Sequence, residues 1–267
     1  MSNVLLQQAN EALESGVLVD MTEAPTSTGG RLLPEGSAFV RFTGYVELGK
    51  HVTEFKGEKK PASPQYILQG HIVGGTGVNP DTGDREQYVT DGNFIEMQTR
   101  PANLALGDLA GSTKIFKALK GNKKAYTSFV QCLGNLYIIP VIHRIAKASG
   151  KPYAILDWAK ASAAIDPVSG EAYQYPDVAP DKYKLLLQRQ PTMEQWNSIF
   201  IEGEWQAKDG KPAESKNKLQ LQCQEAVDFA GSALEQLLMG GVMPSLTDNS
   251  VVPEADEAPS IPDVPEA

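Results

Sequence analysis

From Ala38 to Leu48 the chain alternates. Ala38, Val40, Phe42, Val46 and Leu48 are apolar, and Arg41, Thr43, Tyr45 and Glu47 fall between them. Successive side chains of a strand point to opposite faces, so this run predicts a half-buried β-strand. The parity places Arg41 and Tyr45 together on the outer face, four residues apart. Gly44 in the middle predicts a bulge or a coil of the strand.

More strands follow from alternation, β-propensity and turn signals. Gln65 to Val73 alternates again, and the polar stretch Lys50 to Pro64 before it reads as a hairpin loop. Gly74-Gly75-Thr76-Gly77 runs into Asn79-Pro80-Asp81 rather than a helix start, so it reads as a hairpin tip and not a phosphate loop. Phe94–Thr99, Leu136–Ile145, Lys151–Leu156 and Lys184–Gln188 are further strands, with Pro140 demanding an edge or a bulge. Lys114 to Cys132 carries a helical apolar stripe, broken near Gly121-Asn122. Pro191 to Phe200 reads as a helical turn leading into a strand at Ser198–Glu202, and Asn217 to Leu238 as one C-terminal helix. The fold class expected is mainly β with added helices (α+β). A five-stranded barrel of the oligonucleotide-binding type is its best candidate, with a β-sandwich as the alternative.

Charge is unevenly placed. Of 33 acids, five lie in residues 1–35 and six in 247–267; of 24 Lys and Arg, one lies in 1–35 and none in 247–267. Residues 36–246 therefore hold 22 acids and 23 bases, although the whole chain carries −9. The last stretch, TDNSVVPEADEAPSIPDVPEA, combines acids with four prolines and little apolar bulk. Such a segment buries too little surface to offset its chain entropy and is expected to be disordered. The division expected is an N-terminal arm and linker (1–35), a binding domain (36–246) and an acidic tail (247–267).

The chain has no run of 18 apolar residues and no signal-peptide pattern at its start, so no membrane role is expected. Cys132 and Cys223 are few and far apart, which fits a reducing compartment. No GxSxG, HExxH or Walker pattern occurs, and no enzyme activity or cofactor is expected. His51, His71 and His143 are too scattered for a metal set. Asp81, Asp84 and Asp91 read as turn acids, and no metal is expected.

The bases are more informative. Lys114, Lys117, Lys120, Lys123 and Lys124 fall close together with Phe116 and Tyr126. Lys50, Lys56, Lys59 and Lys60 occupy the first long loop. Arg144, Lys147, Lys151 and Lys160 bracket Tyr153 and Trp158. Cations that track phosphates, interleaved with rings that stack on unpaired bases, are what single-stranded nucleic acid requires. Together with Arg41 and Tyr45, the candidates are therefore Lys50, Lys56, Lys59, Lys60, Lys117, Lys120, Lys123, Lys124, Tyr126, Arg144, Lys147, Lys151, Tyr153 and Trp158. Trp196, Phe200 and Trp205 lie among few bases and are assigned to packing.

Val40–His51 (VRFTGYVELGKH) resembles the opening strand of the single-stranded-DNA-binding proteins of tailed bacteriophages. Gln190–Glu204 (QPTMEQWNSIFIEGE) and Ser215–Leu238 (SKNKLQLQCQEAVDFAGSALEQLL) are similar to their C-terminal part. The resemblance implies an oligonucleotide-binding fold and sequence-independent coating of single-stranded DNA during phage replication and recombination, in the host cytoplasm. It also implies an acidic tail that recruits replication proteins or competes with DNA. The chain departs from the pattern in ending on Pro265-Glu266-Ala267, with no aromatic tip. The rival expectations are a virion structural or decoration protein, and a nuclease using Asp81, Asp84 or Asp91 with Mg²⁺.

Overall fold

A computed structural model describes residues 32–55, 57–89, 93–147, 149–206 and 212–240. The tail 247–267, most of the expected arm, Lys56 and Asp91 lie outside the described residues.

Nine strands form one sheet among the described residues: β1 (Glu35–His51), β2 (Ser63–Val78), β3 (Arg85–Gln87), β4 (Ile95–Gln98), β5 (Ala102–Asn103), β6 (Leu136–Ile145), β7 (Pro152–Leu156), β8 (Ser162–Ala163) and β9 (Lys184–Leu186). The protein is mainly β, with four short helices among the described residues: α1 (Gly111–Lys120), α2 (Met193–Ser198), α3 (Lys218–Gln224) and α4 (Ala233–Leu238). β1 is the spine. It runs antiparallel to β2 from Glu35↔Val78 to His51↔Ser63. On its other edge it pairs with β6 over Gly36–Arg41, then in parallel with β9 over Gly44–Val46. β4 pairs with β2, and β7 with β6. Pro140 is accommodated where the outer partner of β6 changes from β8 to β7.

Gly44 bulges as the sequence predicts, and the bulge reverses the strand's facing. The register slips between Phe42↔Gly70 and Gly44↔Gln69. Before the slip, Val40 and Phe42 enter one core; after it, Tyr45 enters that same core, while Val46 and Leu48 enter a second. A one-residue insertion inverts every side chain beyond it. Tyr45 is thus buried, not outward, and it lies on the face opposite Arg41. A Cβ at Gly44 would sit 2.7 Å from the Cβ of Gln69, so the crossing needs glycine.

The first core gathers Phe42, Leu68, Ile72, Leu119, Tyr137, Ile139 and Trp158 between the strands and α1. The second sets Val46, Leu48, Ile67 and Leu186 against Trp196, Ile199, Leu219, Cys223 and Leu234 of the C-terminal helices.

Three local readings are corrected. Gly74–Gly77 is not a hairpin tip but the last part of β2, laddered to β1 from Phe39↔Gly74 to Gly36↔Gly77, and a Cβ at Gly74 would lie 2.2 Å from the Tyr175 ring; the turn comes after it, closed by Asn79 N–H to Asp84 O at 2.9 Å. The strand expected at Ser198–Glu202 is absent among the described residues, and a two-residue ladder pairs Glu204–Trp205 with Glu214–Ser215 instead. The single C-terminal helix is two. Between them, Val227 N–H donates to Lys50 O at 2.8 Å and Asp228 Oδ1 accepts from Lys50 N–H at 2.7 Å. These bonds hold the chain against the end of β1, and Ser232 caps the restart by accepting from Glu235 N–H. No described helix is long and apolar enough to cross a membrane.

Candidate nucleic-acid interface

The outer face of β1 and β2, where Arg41 and Tyr45 were expected to meet a strand, is covered by the chain itself. Tyr173 and Tyr175 pack on Phe39 with ring centroids 4.8 and 4.6 Å away. The Arg41 guanidinium donates to Gly134 O (3.0 Å) and Tyr175 O (2.9 Å) and pairs with Asp177 (3.0 Å). It fastens this covering segment. Beside it, Thr43 Oγ1 lies 2.8 Å from His71 Nδ1, and Glu96 lies between His71 (3.8 Å) and the Lys184 ammonium (3.0 Å). Burial holds the His71 imidazole below its ordinary pKa, opposed by the Glu96 charge.

Two of the expected stacking rings are core. Tyr45 lies against Tyr66 and Phe129, and its hydroxyl donates to Glu47 (3.0 Å); burial, then the Glu47 carboxylate, drives its phenol far above the usual value. Trp158 meets Phe42 edge-on at 5.6 Å, in the space left free by Gly70. Its basic neighbours in sequence gave no sign of this.

The cations divide into three places. Lys59 and Lys60 stand exposed on the β1–β2 loop, with Lys60 paired to Glu58 at 2.7 Å. Lys50 is exposed at the end of β1 and lines a cavity of about 570 Å³ with Arg189. On and after α1, Lys117 pairs with Asp108, Lys120 lies 5.9 Å from the Phe116 ring centre, Lys123 lies 4.9 Å from that of the half-buried Tyr126, and Lys124 is exposed. Gly121, at φ +50°, ends α1, and Lys117 and Lys120 in its last turn suit its negative end.

The third place is the seam between β4 and β7. No ladder joins these strands among the described residues, yet Met97–Arg100 and Tyr153–Leu156 line one cavity of about 350 Å³. The Arg100 guanidinium lies 4.9 Å from the centre of the half-buried Tyr153 ring. Arg144 is the cross-strand partner of Tyr153, so the two share a face. Lys147 and Lys151 are exposed on the loop joining β6 to β7. Among the described residues none of Arg100, Arg144, Lys147 and Lys151 pairs with a carboxylate. Arg100, a lone base at a strand end, offered no cluster to find in the sequence. Trp205 was likewise missed. It is exposed, not packed, with Lys216 Nζ 5.2 Å from its ring centre, and Phe200 is exposed too.

Among the described residues no group of three or more His, Cys, Asp and Glu side chains could hold a metal ion. Compared with family models, curated proteins and solved structures, the chain gives no match.

Proposed function

We propose that the protein binds single-stranded DNA without regard to sequence, through an oligonucleotide-binding barrel left open between β4 and β7. The observation that carries the reading is the seam. A half-buried tyrosine ring is flanked by Arg100 and Arg144, with Lys147 and Lys151 on the adjoining loop pairing with no carboxylate among the described residues. The ring face stacks on a base of any kind, and the cations follow the phosphates. Strand order supports the barrel. β6-β1-β2-β4 is the 4-1-2-3 order of a Greek key, and β7 beside β6 brings a fifth strand round to the open edge.

The binding supports a role in protecting single strands during phage DNA replication and recombination. The tail 247–267, with six acids and no base, competes with DNA for these cations or recruits replication proteins. A mobility-shift titration with oligo-dT and with duplex DNA tests the proposal. A shift of the single strand at lower protein concentration than the duplex is expected; equal shifts, or none, would count against it.

A further inference from the structure

A third cavity, of about 400 Å³, lies between α1 and β1 and has the chemistry of a base pocket. Its lining includes Tyr45, Phe116 and Phe129, with Thr113 and the exposed Leu106 among its other walls and Glu47 among its polar groups. Phe116, half-buried, is the ring that faces the opening; it meets the buried Phe129 edge-on at 5.4 Å, and Phe129 lies 5.5 Å from the buried Tyr45, so the core behind it fixes its position. Outside it stands the lysine run of α1, with Lys120 beside Phe116.

The charges set an orientation. The Glu47 carboxylate already accepts from Tyr45 O–H and from the Gln188 backbone N–H. It repels a phosphate and accepts from a base N–H, whereas the lysines outside attract the phosphate. A nucleotide therefore enters base first. The neighbouring 570 Å³ cavity shares Glu47 and Leu104 with this one and carries Lys50 and Arg189 alongside Asp228, so phosphate contacts there fall to those two bases.

We infer that this pocket receives one unpaired nucleobase of a bound strand, a contact separate from Tyr153; the inference rests on the proposed single-strand binding. The test is ultraviolet cross-linking of the full chain to an oligonucleotide bearing 5-iodo-pyrimidines, with peptide mapping, beside titration of Leu106→Glu. Leu106 is 92 % exposed, so its replacement leaves folding intact. Cross-links on the peptides holding Leu106 or Phe116, and roughly fivefold or greater loss of affinity in Leu106→Glu, the least expected of one lost base stack, are predicted. Binding with cross-links confined to the Tyr153 region and an unchanged Leu106→Glu would overturn the inference and leave the single-strand reading standing. No binding by the unmodified chain would refute that reading itself.

Discussion

Replacing Arg100 and Arg144 together by alanine separates binding from folding. Both side chains are exposed and neither pairs with a carboxylate among the described residues, so stability should change by no more than about 1 kcal/mol, the worth of the Arg100–Tyr153 contact. Each cation that neutralises a phosphate of a single strand adds roughly 0.7 to the slope of log affinity against log salt. Losing two lowers that slope by about 1.4. Between about 50 and 200 mM salt the native chain should therefore lose roughly sevenfold more affinity than the variant. Fluorescence anisotropy of a labelled oligo-dT, read across that range, measures both slopes. Tyr153→Ala should cost a further ~1–3 kcal/mol of binding at any salt, the worth of one stacked base. Parallel salt slopes for native chain and double variant would refute the placement of the strand at the seam.

Trp158→Ala should instead destabilise the fold by about 3–5 kcal/mol in urea unfolding, since the ring fills the first core rather than stacking on a base. Cys132 and Cys223 are buried, and burial pushes the Cys223 thiol up to about 12, so neither should react with a disulfide reagent until the chain unfolds. His71 is held neutral by burial, and its folded pKa lies below the unfolded value of about 6.5. Stability should be flat above that pH and fall as pH drops from there to the folded pKa, and His71→Gln should flatten the decline in thermal melts. Deleting residues 247–267 should tighten oligo-dT binding if the tail occupies the cations; unchanged affinity leaves it the recruiting role alone.

The long strands were legible because alternation is a local signal. β1 and β2 as far as Val73 lie where period-two patterning places them, and β6 and β7 lie where β-prone runs do. What alternation could not carry was the slip at Gly44, which depends on Gln69 and Lys184 from distant parts of the chain. Tyr45 therefore read as outward when it is core. The break between α3 and α4 was hidden for a like reason, since the pull on Val227 and Asp228 comes from Lys50, far back in sequence. Composition found the loop cations Lys59, Lys60, Lys147 and Lys151, because exposed lysine runs are marked by charge alone. It could not separate Tyr153 from Trp158, both aromatic and both among bases; only the space over Gly70 decides that Trp158 is buried. Arg100 entered the candidate site through the approach of β4 to β7, which no local pattern encodes.

The central claim is tested most directly by titrating the full chain into labelled oligo-dT at low and at high salt. Tight binding at low salt that weakens steeply as salt rises is the result predicted here. An anisotropy that stays at the value of free oligonucleotide at low salt would contradict it.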